Sequence, residues 1–337
     1  MPTLHVAGWF DQEDFYGPLK TYELLERHDK NDQNFLVVGP WNHGGWQSGP
    51  GNKLGKISFD SDTGKHFRAK VQAPFFARYL KDKNGKQPEA LMFQTGNNRW
   101  VEHDRWPPKN AVARKLFFHS DGKLKFEPPA DSTSVFDEYT SDPAKPVPYR
   151  PRPVTPTYPG PEWQVWMVED QRFTQHRPDV LTYETDPLED DVAVAGSLTA
   201  HLFAATSGTD CDWVVRLIDV YPEKMPKDPS MSGYQLLISG EPMRARFRKS
   251  FEKPEPVVPG EVNEYGIDLH WSHHCFRKGH KIMVQIQSTW FPLIDRNPQK
   301  FVSNIFDARD NDFQPARQQI YRSTKYPSAI SMVVLGK

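Results

Sequence analysis

Two short apolar runs open the chain, residues 3–8 (TLHVAG) and 35–39 (FLVVG), each ending in glycine. Continuous apolar runs of this length predict strands buried on both faces, as in a parallel sheet. Between them Phe15, Leu19, Tyr22 and Leu25 recur at spacings of four and three, which predicts a helix over residues 18–27 with one apolar side. Strand, helix and strand in that order make the unit of a parallel α/β sheet. A second helical pattern covers 67–82, with Phe67, Val71, Phe75 and Leu80 on one side, a kink at Pro74 and a stop over 83–86. From Leu91 the texture changes. LMFQTG, KLFFHS, SLTAHLFAAT, DWVVRLIDV, YQLLISG, KIMVQIQST and ISMVVLG are short β-rich runs between turn residues, the pattern of an all-β sandwich. The change places a boundary near Gln87 and predicts two domains, 1–87 and 88–337. Residues 143–161 are too dense in proline for a central strand and predict a long extended connection packed on the sandwich.

Composition narrows the function classes. A chain of 337 residues fits two domains. Its 42 basic residues against 43 acidic ones, a net charge of -1, leave no excess positive charge for a phosphate backbone, so nucleic acid is not an expected partner. No run of 18 apolar residues predicts a membrane span, and the first twenty residues lack the succession of a signal peptide. Two cysteines, Cys211 and Cys275, do not make a disulfide framework. The 31 prolines and 13% aromatic content agree with many short strands and rigid loops.

The chemistry centres on Asp11 in GWFDQED and His43 in GPWNHGG, each just past the C-terminal end of a predicted parallel strand. Active sites of open α/β sheets gather at such ends. In an α/β-hydrolase the triad runs nucleophile, acid, histidine along the chain, and Asp11 before His43 is the latter half of that order. A carboxylate there accepts the Nδ1 hydrogen of the imidazole, while Nε2 takes the nucleophile's proton and returns it to the leaving group. Position and order leave two readings open: half of a triad, or a loop aspartate and a loop histidine in ordinary hydrogen bonds. Asp14 competes with Asp11 as the acid; the strand-end position favours Asp11 and puts Glu13 and Asp14 in the first turn of the helix.

GWFDQEDFYG followed by LVVGPWNHGGW resembles the acid and histidine motifs of α-amino-acid ester hydrolases, glutaryl-acylase-like proteins and cocaine esterase. Farther on, PLEDDVAVAGSLTAHLFAATSGTDCDWVVRLIDVYPE, MRARFRKS and HHCFRKGHKIMVQIQSTWFP look like the C-terminal domain of X-Pro dipeptidyl-peptidases and their esterase relatives. The resemblance implies an α/β-hydrolase remnant, the C-terminal strands and helices of a parallel sheet, followed by a jelly-roll β-sandwich. It implies a serine hydrolase acting on an ester or amide, with α-amino acyl, glutaryl or β-lactam side chains as substrate classes, Asp11 and His43 as acid and base, and no cofactor or metal. No G-x-S-x-G occurs in the chain. The resemblance therefore implies that the nucleophile, oxyanion hole and cap belong to an N-terminal half outside these residues, and that the chain alone is inactive. For the parent protein it implies export to the periplasm or medium, and it admits a homo-oligomer. The alternative is a stand-alone carbohydrate- or protein-binding jelly-roll module with a vestigial hydrolase segment.

Other patterns carry bland expectations. His273, His274, Cys275 and His280 match no zinc spacing and are expected at edge and turn positions where a strand begins. Arg244, Arg246, Arg248 and Lys249 alternate with Ala245 and Phe247, which predicts a solvated face of a strand. Gly44, Gly45, Gly49, Gly51 and Gly55 before Lys56 miss the phosphate-loop spacing. Trp41, Trp46, Trp100 and Trp106 are expected to pack between the domains, with lining of an acyl pocket as the alternative.

Overall fold

The computed structural model describes all residues except 134, 155–157, 159 and 337. Strand β1 (Thr3–Gly8), helix α1 (Tyr16–Glu26) and strand β2 (Asn34–Gly39) form the expected crossover, with β1 and β2 parallel from Thr3↔Asn34 to Gly8↔Gly39. Every residue of β2 is buried, which is why its sequence shows no alternation. Helix α1 buries Leu19 and Tyr22, but Leu25 at the end of the expected stripe is 43% exposed. A small hairpin, β3 (Lys53–Leu54) and β4 (Ile57–Ser58), precedes α2 (Thr63–Phe67) and α3 (Ala73–Lys81).

The second helical pattern is interrupted ahead of its proline. A wide π-type turn over Arg68–Gln72 joins α2 to α3, and Pro74 sits in the first turn of α3. Proline has no N–H to return to the preceding turn, so the irregularity falls where that bond is lost. Phe67, Val71 and Phe75 are buried as expected, whereas Leu80 is 74% exposed near the helix end.

Strands β5 (Ala90–Gln94) and β6 (Arg99–His103) lie past Gln87 yet extend the first sheet, whose order is β1-β2-β5-β6. β5 runs parallel to β2 and antiparallel to β6. By pattern alone LMFQ belongs with the β-rich region, because a strand buried throughout looks alike in either sheet.

The remaining strands are β7 (Ala111–His119), β8 (Lys123–Lys125), β9 (Phe136–Ser141), β10 (Leu181–Glu184), β11 (Val192–Thr206), β12 (Asp212–Val220), β13 (Gln235–Arg244), β14 (Asn263–Phe276), β15 (Lys281–Gln287), β16 (Ala316–Tyr321) and β17 (Ala329–Leu335). They make an eleven-stranded sheet in the order β13-β12-β15-β10-β8-β7-β17-β11-β16-β9, with β14 on β11. Leu198, Leu202, Trp213, Leu217, Ile267, Phe276 and Ile330 fill its core. The proline-rich connection is described up to 154 and at 158, 160 and 161, and its remainder lies outside the described residues. Within it Val147 and Tyr149 are buried, and Tyr149 N–H donates to the Phe291 carbonyl at 3.0 Å, so this part lies extended on the sheet.

Two bland expectations are corrected. Arg244 closes β13 and Ala245–Phe247 is a turn, so the basic residues do not share a strand face. Arg246 is 4% exposed and binds the fully buried Asp210 at 2.7 Å, and Arg244 pairs with Asp212 at 2.9 Å. Replacing Asp210 with alanine leaves the Arg246 charge buried and unpaired, and is expected to cost about 3–5 kcal/mol of stability in denaturant unfolding. His273, His274 and Cys275 lie near the end of β14, which the sheet pairs with β11 on one side, and His280 closes the turn before β15; the positions are as expected, but all four are buried. His274 and His280 converge on buried Asp219 at 3.2 and 2.9 Å. Cys211 and Cys275 are buried free thiols.

The two sheets meet at Thr95. Its N–H donates to the His273 carbonyl at 3.1 Å, and its carbonyl accepts from Cys275 N–H at 2.9 Å. Gly96 follows with φ +83, and a Cβ there would lie 2.1 Å from the Cys275 carbonyl oxygen. Gly96→Ala is therefore expected to lower stability by on the order of 2–3 kcal/mol, read as a lower denaturant midpoint at unchanged m-value.

Candidate active site

Glycine ends both parallel strands for a steric reason. A Cβ on Gly8 would lie 2.2 Å from the Trp41 carbonyl oxygen, and one on Gly39 would lie 2.4 Å from the Trp41 ring. Without those atoms the loops after β1 and β2 can touch. Trp9 N–H donates to the Gly39 carbonyl at 2.8 Å, and Phe10 N–H to the Trp41 carbonyl at 3.0 Å. Trp41 anchors its loop: it is 2% exposed, donates from Nε1 to Thr63 Oγ1 at 2.8 Å, and packs on Trp46, Phe67 and Trp100.

This stitching puts Asp11 beside His43. Asp11 is 4% exposed, and its Oδ1 accepts from the backbone N–H groups of Glu13 and Asp14 at 2.9 and 3.0 Å. The same oxygen lies 3.1 Å from His43 Nδ1. An ionised carboxylate only accepts, so the bond assigns the Nδ1 hydrogen to His43 and leaves Nε2 as the basic nitrogen. Asp14 approaches Nδ1 only to 3.6 Å, from a side chain that is 72% exposed. Glu13 and Asp14 occupy the turn before α1 and not its first helical turn.

His43 is held from several sides while its ring stays open. Gln12 Oε1 accepts from its backbone N–H at 3.3 Å, and Gly44 turns the chain away with φ +68. Its side chain is 39% exposed. Partial burial pushes the imidazolium pKa down, but the charge and hydrogen bond of Asp11, with Glu13 and Asp14 adding to them, carry it above the ordinary imidazole value. Among the described residues, no hydroxyl or thiol is hydrogen-bonded to the His43 ring.

Several contacts at the site come from residues the sequence did not single out. Asn42 Nδ2 donates to the carbonyl and to Oε1 of Gln164 at 3.1 and 2.8 Å, and Trp163 Nε1 donates to Glu13 Oε1 at 2.8 Å. These bonds fasten the two loops to a segment more than a hundred residues away, and no local pattern marks them. Trp41, Trp46 and Trp100 form one aromatic cluster, while Trp106 packs on Trp271 and His273 of β14. Packing is thus the observed role of all four tryptophans. Among the described residues, no group of three or more His, Cys, Asp or Glu side chains could hold a metal ion. Among the described residues, no helix is long and apolar enough to cross a membrane.

The solved aminopeptidase from a marine sediment archaeon, Thaumarchaeota archaeon, is 46% identical, with a TM-score of 0.97 over 100% of this chain and 55% of that one. A solved α-amino acid ester hydrolase is 43% identical, with a TM-score of 0.96 over 99% of this chain and 55% of its own. Cocaine esterase of Rhodococcus sp. (strain MB1 Bresler) is 28% identical over 100% of this chain and 57% of its own length. The chain thus spans little more than half the length of these relatives, and the match lies on their C-terminal part. Asp11 and His43 precede the segment that carries the family match. Across residues 83–331 that match is to the X-Pro dipeptidyl-peptidase C-terminal non-catalytic domain, and the chain belongs to that family.

Proposed function

We propose that the chain supplies the acid and the base of a serine hydrolase whose nucleophile stands in sequence N-terminal to these residues. The observation that carries this reading is the 3.1 Å contact between buried Asp11 and open His43, at the ends of adjacent parallel strands. Asp11 fixes the tautomer and steadies the imidazolium, and His43 Nε2 takes the serine proton and delivers it to the leaving group. The short parallel sheet is read as the C-terminal end of an α/β-hydrolase sheet, residues 1–87, with β5 and β6 added to it by the following domain. Residues 88–337 are read as a jelly-roll sandwich. A stand-alone binding module would need no carboxylate buried against an open histidine, so the hydrolase reading is preferred.

The substrate class we infer is an α-amino acyl ester or amide. Its support is the identity of 46% and 43% to an aminopeptidase and an α-amino acid ester hydrolase, against 28% to cocaine esterase. The full-length protein is expected to release about one equivalent of leaving group per chain in a burst on an activated α-amino acyl ester, the mark of an acyl-enzyme. Residues 1–337 alone are expected to give no turnover. Absence of turnover on any ester or amide by the full-length protein, or serine-dependent turnover by residues 1–337 alone, would overturn the reading.

A further inference from the structure

Arg216 lies at the centre of β12 and is fully buried. Its Nη1 donates to Gln171 Oε1 at 2.7 Å, and its Nη2 donates to Thr174 Oγ1 at 2.7 Å and to Gln285 Oε1. All three acceptors are neutral and buried. Its Nε–H is buried with no acceptor among the described residues. Arg246, the other arginine buried among the described residues, has Asp210 at 2.7 Å, so the fold supplies a counter-charge in one place and not in the other. Amide and hydroxyl dipoles satisfy hydrogens, but they do not neutralise a charge held out of water.

The surroundings of the free edge point the same way. Val214, Arg216 and Ile218 share one face of β12, and Val214 and Ile218 pack there with Trp166 and Trp290. A Cβ on Gly240 would lie 2.9 Å from the Trp290 ring and 3.3 Å from Arg216 Cγ, which sets that ring beside the arginine stem. The indole N–H groups of Trp166 and Trp290 are also buried without an acceptor. Two unpaired indole donors therefore lie in the same part of the core as the uncompensated cation and its own free Nε–H, and burial alone pushes the guanidinium pKa down to about 9. A neutral acceptor would pair these hydrogens but leave the charge, so what calls for an anion is the buried cation without a counter-charge.

We propose that Arg216 binds a buried halide-sized monovalent anion, chloride in ordinary buffers, at its free Nε–H edge on the face of β12 that Trp166 and Trp290 cover. Chloride accepts several hydrogen bonds without directional demands and needs no carboxylate from the chain. The site lies in the β-sandwich, is separate from Asp11 and His43, and does not depend on the hydrolase reading.

The test is made on the intact protein. Thermal unfolding is followed as chloride replaces gluconate at constant ionic strength. Each tenfold rise above the dissociation constant is expected to raise the midpoint by about 1–2 °C, and Arg216→Met is expected to abolish the dependence. Crystals grown in bromide are expected to show an anomalous peak within halide contact of Arg216 Nε. That measurement decides the matter on the unsubstituted protein should Arg216→Met fail to fold. An empty site, a peak without anomalous signal (a water), or bromide found only at the surface would each overturn the proposal, as would a midpoint indifferent to chloride.

Discussion

Replacing His43 with alanine in the full-length protein is expected to lower kcat/KM on an α-amino acyl ester on the order of 10⁵-fold, with KM changed little. In the proposed mechanism the imidazole takes the nucleophile's proton, and loss of such a base costs nearly as much as loss of the whole triad. The fold should be unaffected, because the side chain is 39% exposed and its loop is held by Trp41 and Asn42. Steady-state kinetics beside an unchanged unfolding midpoint would separate a catalytic loss from a structural one. Residual activity within tenfold of the parent would remove His43 from the mechanism.

Asp11→Asn is the second large effect, expected to lower kcat on the order of 10⁴-fold. The asparagine oxygen can still accept from the N–H groups of Glu13 and Asp14, so the turn survives. That same oxygen faces His43 Nδ1, so the ring orientation survives as well, and what is lost is the negative charge that stabilises the imidazolium formed when His43 takes the nucleophile's proton. The pH profile adds a second readout. Only neutral His43 is a base, so the rate rises with pH through its pKa, which lies above the ordinary 6.5. Without the Asp11 charge and hydrogen bond, burial still lowers that pKa and only the smaller pull of Glu13 and Asp14 opposes it, so the acid limb should move to lower pH in the variant. Asp14→Asn is the control: at 3.6 Å and 72% exposed, Asp14 should change kcat less than about threefold. Equal losses for the two substitutions would mean that the acid had been misassigned.

Much of this is legible in the sequence. FLVVG is apolar throughout because both faces of its strand are covered, whereas β1 is fully buried only at His5, Ala7 and Gly8; Leu19 and Tyr22 mark the buried side of the helix between them. DWVVRLIDV is β12 from end to end. Asp11 and His43 were legible as a candidate pair because strand ends in such a sheet converge on one edge, so two residues 32 apart can be placed together by counting elements. What the chain hid were polar groups that burial had made structural. NEYGIDLHWSHHCF did not read as one long strand, since its deep positions include Ser272, His273 and His274. Arg246 passed for a surface residue because its partner, Asp210, lies on the preceding hairpin side of β12.

The sequence by itself determined the crossover, the β-rich remainder, the chemical types at the candidate site and their order. Tertiary structure alone decided which sheet β5 and β6 join, that Asp11 and not Asp14 holds His43, that Trp163 and Gln164 clamp the site from afar, and that Arg216 is buried without a counter-charge. The physical reason is that apolar burial leaves a local period, because every inward position must be apolar. Polar burial leaves none, because its cost is met by partners that only the folded chain brings within hydrogen-bond reach.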